Sequence, residues 1–320
     1  MLPEPKRSVV AIPPPGDGPG FWAGAPSAVV WDGDIYLAYR LRRPIGKGRG
    51  YAVVIAKSSD GVSFETLLTI SKEQMDTESL ERPRLVHTPE GGWRLYLSCA
   101  TYGTKHWRVE LLEAEDPKGF DPRHAQVVLP GDPKTAVKDP VIVRQDGIWH
   151  LWASCHPLAD PDETDQMVTD YATSPDGINW SWHGTALERR EGSWDSRGVR
   201  VSAVYFTGHF TGDGGGDRSV VAYYDGRASA AENYEERTGI AIGVDPAALT
   251  ALGSTPRAVS PYAGGGLRYL EILPLPDGRH RLYYEMTRPD GAHELRTELR
   301  TGPGTGPGTG PGPGTGYRAE

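Results

Sequence analysis

A repeated Xaa-Pro step is the feature that most limits what this sequence folds into. Prolines at positions 26, 83 and 140 each open a run of apolar residues, and two equal intervals of 57 residues separate them. Two further copies, at residues 200–205 and 269–273, repeat the apolar run without the proline. Each copy then turns at glycine into a second, aromatic strand, and equal spacing of such units is typical of repeat architectures.

This repeat predicts an all-β fold, a five-bladed β-propeller with four antiparallel strands in each blade. The 320 residues include 41 Gly and 28 Pro, which supply the tight turns that many short strands require. The fifth copy shows three strands, at residues 267–273, 280–286 and 293–300, so we expect an N-terminal strand at residues 7–12 to close the ring. We predict one propeller domain over residues 1–301 and a disordered tail rich in Gly, Pro and Thr over residues 302–320.

Charge and composition exclude several classes of protein. The net charge is −8, so no global positive field attracts nucleic acid or an anionic membrane, and we expect neither as a partner. No run approaches the ~20 apolar residues of a membrane span, and the first residues lack the apolar region of a signal peptide, which predicts a cytoplasmic protein. Cys99 and Cys155 form no CxxC motif and are expected to be buried free thiols. No spacing of Asp and His indicates a metal, and no cofactor is predicted.

Four copies run from their third strand into a turn that contains aspartate. These residues are Asp60, Asp116, Asp176 and Asp245. Because aspartate accepts hydrogen bonds from the backbone of its own turn, we interpret all four as structural and leave them out of the candidate site.

The first strand of every propeller blade lies nearest the axis, and side chains near its start line a central cavity. Aligning the copies places five residues at one level: Ala25, Arg82, Asp139, Arg200 and Tyr269. Alternate side chains of a strand share a face, so a second level follows two residues along: Ser27, Arg84, Val141, Ser202 and Glu271. Neighbouring loops add Trp22, Glu81, Lys138, Asp195 and Arg197. The second strands end at the same opening with Arg40, Asp225 and Glu285, followed by His156 and Arg227.

Two stretches of this candidate site resemble the five-bladed glycosidases of glycoside hydrolase families 43, 32 and 130. Lys138-Asp139-Pro140 resembles the Asp-Pro that those enzymes carry at the start of an inner strand. Glu81-Arg82-Pro83-Arg84 is similar to the Glu-Asp-Pro-Arg of family 130, with Arg82 in place of the acidic residue. The sequence departs from family 43 in the first blade, which has Ala25-Pro26, and in the fourth, which lacks the usual Glu. The resemblance implies the propeller fold and glycoside hydrolase activity.

Glycoside cleavage requires one carboxyl group to protonate the leaving oxygen and another to activate water or attack the sugar. Asp139 and Glu271 are the first catalytic candidates, because the alignment directs both toward the axis from blades two apart. Glu81 and Asp195 lie at the predicted rim and complete the catalytic set.

The arginines predict a locally cationic cavity in an acidic protein. Arg82, Arg84 and Arg200 lie on inner strands, and Arg40 and Arg227 lie at the opening. Guanidinium groups bind carboxylate and phosphate groups in bidentate fashion, so the expected partner is a small carbohydrate or an anionic glycoside such as a sugar acid or sugar phosphate. The alternative is that the same arginines pair with the acidic candidates and plug the pore.

Aromatic and imidazole side chains complete the predicted binding set. Trp22 either stacks on a sugar face or packs in the rim. His106 and His156 each follow a second strand and act either as a general acid or base or as ordinary hydrogen-bonding residues. The substrate-binding candidates are Trp22, Arg40, Arg82, Arg84, His156, Arg200, Asp225 and Arg227.

Three functions fit these observations. The first is a glycoside hydrolase-like enzyme that uses carboxylate acid and base residues on a small glycoside, neutral or anionic, in the central cavity. The second is a non-hydrolytic tailoring enzyme, a lyase or isomerase, that acts on an anionic metabolite. The third is a non-catalytic propeller that binds a glycan or an anion. Substitution of Asp139 separates the enzymes from the binding protein. It is expected to abolish turnover in an enzyme but barely to weaken ligand binding by a receptor.

Overall fold

The computed structural model of the chain describes residues 1–207, 219–262 and 264–301. The tail predicted at residues 302–320 lies outside these residues, as does the glycine turn of the fourth copy at residues 214–216. None of the helices in the described part of the chain has the length and hydropathy of a membrane span.

The described residues form an all-β structure of twenty strands and five short 3-10 helices. The strands are β1 (Val9–Ile12), β2 (Trp22–Trp31), β3 (Asp34–Arg42), β4 (Gly50–Ser58), β5 (Glu65–Ser71), β6 (Leu80–His87), β7 (Trp93–Ala100), β8 (Trp107–Ala114), β9 (Gln126–Leu129), β10 (Thr135–Gln145), β11 (Ile148–Pro157), β12 (Val168–Ser174), β13 (Ser181–Leu187), β14 (Gly198–Thr207), β15 (Ser219–Arg227), β16 (Arg237–Asp245), β17 (Ala248–Leu252), β18 (Leu267–Pro274), β19 (Arg279–Thr287) and β20 (His293–Thr301). The 3-10 helices are Pro5–Arg7, Ile45–Lys47, Pro117–Gly119, Pro122–His124 and Ala230–Glu232.

The strands pair with their sequence neighbours in antiparallel sets of four. Strands β6–β9, β10–β13 and β14–β17 each form a separate four-stranded sheet. The remaining strands form one sheet, in which a single parallel pair, Trp22 with His293, joins β2 to β20. We therefore name five units: unit 1 (β2–β5), unit 2 (β6–β9), unit 3 (β10–β13), unit 4 (β14–β17) and unit 5 (β18–β20 with β1).

The N-terminal segment forms the outermost strand of unit 5. Strand β1 runs antiparallel to β20, with Val9 opposite Thr297 and Val10 opposite Arg296. The Arg296 guanidinium also donates to the carbonyl and hydroxyl oxygens of Ser8, at 2.8 and 2.6 Å. The strand predicted within residues 7–12 is thus present at Val9–Ile12 and belongs to the last unit.

Five apolar clusters lie between the units, and each draws its side chains from two of them. The pairs of units are 1 and 2, 2 and 3, 3 and 4, 4 and 5, and 5 and 1. Strand β7 illustrates the cause, because its side chains alternate between two faces. Leu95 and Leu97 pack toward unit 1, whereas Tyr96 packs toward unit 3. The central strands are consequently apolar on both faces, as β7 is.

The first strand of every unit carries one extra residue against its neighbour, which is a β-bulge. The register shifts fall between Gly24 and Ser27, Glu81 and Arg84, Lys138 and Val141, Val201 and Ala203, and Arg268 and Glu271. Gly24 lies opposite Arg40 and Ser27 opposite Ala38, so Gly24 and Ser27 share a face. The expectation that Ala25 and Ser27 share a face is therefore wrong, because a bulge reverses the alternation.

The structural roles predicted for the turn aspartates and the cysteines are confirmed. Each aspartate accepts a backbone N–H two residues along, and the four residues are Asp60, Asp116, Asp176 and Asp245. Both thiols are buried and free, and burial raises the pKa of Cys99 and of Cys155 well above the ordinary value.

Candidate functional site

A cavity of about 150 Å³ opens where the starts of the first strands meet, and all five units contribute to its wall. Seven arginine or lysine side chains line it, against three carboxylates. The cationic groups are Arg42, Arg49, Lys105, Lys138, Arg200, Arg227 and Arg268, and the carboxylates are Glu81, Asp165 and Glu236. The wall is therefore cationic although the whole chain carries a net charge of −8.

Part of the wall comes from the residues that lie just before the bulges. In β14 this residue is separated from the register shift by Val201, and in the other first strands it immediately precedes the shift. The five residues are Gly24, Glu81, Lys138, Arg200 and Arg268. The last four line the cavity, and glycine is needed at the first position because a Cβ on Gly24 would lie 2.0 Å from the Glu285 carboxylate. Arg200 thus lies one position before the level at which we aligned it, and Val201 takes that place. The error arises because β14 lacks the Xaa-Pro step that marks the bulge in units 1 to 3.

Three of the bulges hold a non-glycine residue in the left-handed region of backbone space. The φ angles are 52° at Ala25, 54° at Asp139 and 53° at Tyr269. Such conformations cost of order 1–3 kcal/mol each and persist only where the surrounding structure fixes them. The strained positions therefore lie directly beside the residues that form the cavity wall.

Asp139 is fully buried behind the wall and does not line the cavity. Its Oδ2 lies 3.2 Å from Arg200 Nη1 and 3.4 Å from the Tyr269 hydroxyl, and the Lys138 ammonium lies 3.6 Å away. The backbone N–H of Asp139 donates to the Ser98 hydroxyl at 2.8 Å. Its Oδ1 has no hydrogen-bond partner among the described residues. The predicted catalytic Asp139 therefore contacts cavity-lining cations and reaches the cavity only through them.

Glu81 is the one predicted catalytic residue that lines the cavity, and two arginines hold its carboxylate. Oε1 accepts from Arg42 Nη1 at 2.8 Å, and Oε2 lies 3.2 Å from Arg40 Nη1. Burial acts to raise the pKa of Glu81, but the positive charges of Arg40 and Lys138 outweigh it, so the pKa falls to about 2. Glu81 is consequently ionised at neutral pH.

Lys138 is a buried cation that lines the cavity without a hydrogen-bond acceptor among the described residues. Its Nζ lies 4.1 Å from the centre of the Trp107 ring, and its nearest carboxylate oxygen, on Asp139, is 3.6 Å away. Burial lowers the pKa of Lys138, against the raising effect of Asp139 and Glu81. The Lys138 ammonium therefore keeps hydrogen-bond donors available for an anionic partner.

Two arginines of the wall share the carboxylate of Glu236. Arg227 and Arg268 each donate to Glu236 at 2.6 Å, and the Arg268 guanidinium donates through two further nitrogens to Glu285 at 2.7 and 3.0 Å. Arg227 also donates to the carbonyl oxygen of Asp165. Burial acts to raise the pKa of Glu236, but the charges of Arg268 and Arg200 outweigh it, and the pKa is lowered.

His156 lines the cavity with a fixed tautomer. Its Nδ1 lies 2.8 Å from the Thr164 carbonyl oxygen, which only accepts, so Nδ1 carries the proton. Its Nε2 lies 3.1 Å from the Ser154 hydroxyl and accepts from it. Burial, reinforced by the charge of Lys138, lowers the pKa of His156 to about 3. The imidazole is neutral at pH 7 and both its nitrogens are engaged.

Three predicted binding residues are buried behind the wall. Arg40 pairs with Glu285 at 2.5 Å, and Asp225 accepts from Arg200 at 2.9 and 3.2 Å. Arg82 donates to the backbone carbonyl oxygens of Val201 and Ser202 and has no carboxylate partner among the described residues. The sequence predicted that these three residues contact the substrate. The structure instead shows that Arg40, Arg82 and Asp225 contact other protein groups behind the cavity wall.

Arg84 and Glu271 lie on the far side of the bulges and do not line the cavity. Arg84 Nη1 lies 2.8 and 2.9 Å from the two carboxylate oxygens of Glu271, and Arg84 Nη2 donates to the Ile142 carbonyl oxygen at 2.8 Å. The prediction that Glu271 faces the cavity is wrong, because the bulge displaces the residues that follow it. The pairing of Arg84 with Glu271 agrees with the alternative in which the arginines pair with the acidic candidates.

Asp195 is the fourth predicted catalytic residue, and it lies in a separate buried cluster. The Tyr224 hydroxyl donates to its Oδ2 at 2.7 Å, and Arg190 Nη2 lies 2.8 Å away. Asp195 is fully buried and does not line the cavity, so its predicted rim position is wrong. It joins the loop before unit 4 to the second strand of that unit.

Trp22 lines the cavity, but other groups already lie against its ring. His293 stacks on it with a centroid distance of 4.7 Å, and the Arg42 guanidinium lies 4.3 Å from the ring centre. Tyr234 contacts the same ring at 5.0 Å. These contacts favour the packing role that the sequence left open for Trp22.

Of the predicted site, the structure brings together on the cavity wall Trp22, Glu81, His156, Arg200 and Arg227. Sequence reasoning missed Arg42, Arg268 and Glu236, and it placed Lys138 in a loop without a role. Arg268 had a usable signal, because it precedes Tyr269 as Lys138 precedes Asp139. Glu236 had none, because it lies in a loop outside the repeat.

Solved glycosidase structures share this fold at low sequence identity. A thermostable family-43 glycoside hydrolase aligns with a TM-score of 0.65 and 14% identity, over 93% of this chain and 96% of that chain. A GH130 structure, from work on mannoside phosphorylases and hydrolases that target β-1,2 mannosidic linkages in Candida mannan, aligns at 0.59 and 18%, over 93% and 95%. A β-1,2-mannobiose phosphorylase from Listeria innocua aligns at 0.58 and 16%, over 93% and 95%. The resemblance to the propeller glycosidases of families 43 and 130 is confirmed at the level of the fold.

No protein-family model matches the sequence, and a search of curated proteins finds no match.

Proposed function

We propose that this chain is an enzyme that cleaves the glycosidic bond of a small anionic glycoside bound in the cavity. The observation that carries the proposal is the charge of the cavity wall, where seven cationic side chains meet three carboxylates. Each of these carboxylates already pairs with arginine. Because cationic groups outnumber carboxylates on the wall, the cavity favours an anionic ligand, and a carboxylate or phosphate group on a sugar supplies that negative charge. The shared fold with glycoside hydrolases and phosphorylases supports chemistry on a sugar.

The proposal includes a closed ring of five blades, one for each unit. Two observations support it. An apolar cluster joins unit 5 to unit 1 just as other clusters join the remaining neighbours, and β1 completes unit 5 as its fourth strand. A ring built in this way brings the start of each first strand to one axis, which accounts for the contribution of every unit to one cavity.

In this proposal Lys138 and Arg200 bind the anionic group of the substrate. The Lys138 ammonium makes no hydrogen bond to the described residues, and its nearest carboxylate oxygen, on Asp139, is 3.6 Å away. Arg200 is held in place by Asp225 and by Asp139. Asp139 therefore acts as a positioning residue, because its carboxylate orients both cations without contact with the substrate. Glu271 and Asp195 are assigned no contact with substrate.

The proposed general base is Glu81. Its carboxylate lines the cavity and, with a pKa of about 2, is ionised at neutral pH, as a base that activates water must be. Because the carboxyl group of Glu81 is already ionised at neutral pH, it cannot serve as the proton donor to the leaving oxygen. The pKa of Glu81 and the pKa of Glu236 are both lowered, and this observation favours a second candidate function, a propeller that binds an anionic sugar without turning it over.

The test is turnover of chromogenic glycosides by the wild type and by Glu81→Gln. We expect 4-nitrophenyl glycosides with a charged sugar, a uronide or a sugar phosphate, to be cleaved in preference to neutral ones, and we would assay them with and without inorganic phosphate. Glu81→Gln should lower kcat by at least ~10², the usual effect of losing a positioned base. Glu113→Gln is the matched control, because that carboxylate pairs with Arg94 and lies away from the cavity.

A thermal melt accompanies the kinetics, because Glu81→Gln leaves Arg40 and Arg42 without their charge partner. Loss of one partner of a buried pair costs about 3–5 kcal/mol of stability, so kcat is expressed per folded molecule. Turnover of neutral glycosides alone would contradict the anionic substrate. Tight binding of charged sugars with no turnover of any glycoside, and no change in binding by Glu81→Gln, would establish the binding protein instead.

A further inference from the structure

His293 is buried where unit 5 meets unit 1. Its side chain is 1% exposed, and its backbone N–H donates to the Phe21 carbonyl oxygen at 3.1 Å. The imidazole stacks on the ring of Trp22, which lines the cavity, with an angle of 19° between the two planes. The backbone and the ring of His293 are therefore both fixed directly behind the cavity wall.

Both ring nitrogens of His293 face carboxylate oxygens. Nδ1 lies 2.7 Å from Glu285 Oε1, and Nε2 lies 3.0 Å from Glu235 Oε1. Nε2 also lies 3.1 Å from the Thr287 hydroxyl, but that hydroxyl donates its hydrogen to Glu235 Oε2 at 2.6 Å. Because ionised carboxylates only accept hydrogen bonds, each nitrogen needs a proton to bond its partner.

The two carboxylates are ionised, because each has further donors. Glu285 accepts from Arg268 at 2.7 and 3.0 Å and pairs with Arg40 at 2.5 Å. Glu235 accepts the backbone N–H of Gly266 at 3.0 Å, and a Cβ on Gly266 would lie 2.5 Å from this carboxylate, so glycine leaves room for it. Burial acts to raise the pKa of both carboxylates, but the arginine charges at Glu285 and the hydrogen bonds at Glu235 outweigh it, and both pKa values are lowered. The ring between them is therefore an imidazolium, with a proton on each nitrogen.

Glu235 belongs to the loop of residues 233–236, and the other three residues of this loop line the cavity. Tyr234 has a φ of 81°, a left-handed conformation that a bulky residue adopts only under constraint. Glu236 carries the carboxylate that two arginines of the wall share. Glu235 thus joins this part of the wall to His293 of unit 5.

We propose that His293, as an imidazolium, is a positioning residue that holds loop 233–236 in place on the cavity wall. It acts through Glu235 and does not itself line the cavity. This inference goes beyond the proposed function, because it concerns how the wall is held and not which ligand binds there.

The arrangement makes the shape of the wall depend on pH. The charged groups near His293 and its partners come from three strands and one loop: Arg40 and Arg42 on β3, Arg268 on β18, Glu285 on β19, and Glu235 and Glu236 in the loop. When the ring loses one proton, Nδ1 keeps the other, because it has the shorter contact with a carboxylate. Glu235 Oε1 then faces a lone pair, and the loop loses its charge-assisted hydrogen bond.

The charge on His293 is measured by nuclear magnetic resonance of the ligand-free protein with nitrogen-labelled histidine, from pH 6 to pH 10. We expect both ring nitrogens of His293 to carry a proton at pH 7, where an ordinary imidazole, with a pKa of ~6.5, is mostly neutral. The signal is identified by its absence from His293→Gln or, if that variant does not fold, by its displacement in Glu235→Gln. A ring nitrogen without a proton at pH 7 would overturn the proposal.

Hydrogen exchange of the backbone amides in loop 233–236, corrected for the intrinsic rate at each pH, measures the positioning role. We expect wild-type protection to fall ~10-fold across the pH range in which His293 loses a proton, the scale of one hydrogen bond to a charged group. Glu235→Gln should show no such fall, because a neutral amide both donates and accepts and so does not need the ring charge. His124→Gln, at an exposed histidine, is the control and should follow the wild type.

Wild-type protection that stays constant across that range, or an equal fall in Glu235→Gln, would show that the imidazolium does not position the loop. Both measurements use the protein without ligand. A failure of the proposed function in the glycoside assays is therefore distinguishable from a failure of this inference.

Discussion

The imidazole of His156 is held neutral by its surroundings. Burial and the charge of Lys138 lower its pKa from 6.5 to about 3. The unfolded chain therefore binds more protons at this residue than the folded protein does between those two values. The stability that neutral His156 contributes is complete above pH 6.5 and is lost as the pH falls toward 3.

We predict that His156→Asn makes the stability of the protein less sensitive to acid. Asparagine keeps a hydrogen-bond donor near the position of Nδ1 but does not titrate. The free energy of unfolding, measured in urea at several values between pH 7 and pH 4, should fall less steeply for the variant than for the wild type. His124→Asn, at an exposed histidine, should follow the wild type. Parallel curves for all three proteins would refute the neutral, buried imidazole.

At the residue scale, the sequence predicted which residues lie near the cavity more accurately than it predicted which side chains face it. The Xaa-Pro steps correctly placed Glu81 and Asp139 near the cavity. Their orientation depends on a bulge, and one extra residue turns the following side chains to the other face. The sequence pattern does not state which residue is the extra one. Glu271 was therefore assigned to the wrong face of its strand, and Arg200 to the wrong level.

At the scale of elements, the turns between third and fourth strands join neighbouring units. The Gly61 carbonyl oxygen of unit 1 accepts the Tyr283 hydroxyl of unit 5 at 2.9 Å. The Gly177 carbonyl oxygen of unit 3 accepts the Tyr96 hydroxyl of unit 2 at 2.9 Å. Each turn is shaped by its aspartate, Asp60 or Asp176, which accepts backbone N–H groups of the residues that follow. The same device thus recurs at two boundaries between units.

We predict that Tyr283→Phe and Tyr96→Phe destabilise the protein by similar amounts. Each change removes one buried hydroxyl and leaves a carbonyl oxygen without its partner, at a cost of about 1–3 kcal/mol. Chemical denaturation of the two variants measures the loss. Tyr102→Phe serves as the control, because Tyr102 is exposed and its hydroxyl makes no recorded hydrogen bond among the described residues. Variants indistinguishable from this control would mean that the turns do not tie the units together.

Most of the strands could be predicted from the sequence, whereas the hydrogen bonds between units could not. Glycine turns and alternating apolar residues mark the hairpins, so the strands of the fifth copy were predicted at nearly their observed bounds, such as His293–Thr301. The tie between Tyr283 and Gly61 joins residues 222 positions apart. Local pattern contains no information on such a pair, because the partners meet only after the units have packed.

At the scale of the whole molecule, a cationic cavity lies inside an acidic protein. Its wall is assembled from every unit, and the groups directly behind it, among them Arg40, Asp139 and Asp225, belong to different units. Buried ion pairs of this kind give little net stability, because the cost of removing charges from water offsets their attraction. We therefore attribute their presence to function, as a framework that holds positive charge ready for an anionic ligand.

The most direct test of this account is a crystal structure of the protein soaked with D-glucose 6-phosphate, beside one soaked with D-glucose. We predict density for the charged ligand in the cavity, with a phosphate oxygen about 2.7–3.2 Å from Lys138 Nζ, the normal range of such a hydrogen bond. The glucose soak should leave the cavity without a sugar. Charged-ligand density at a surface site alone, or glucose bound in the cavity as well as the anion, would contradict the claim that positive charge in this cavity selects the ligand.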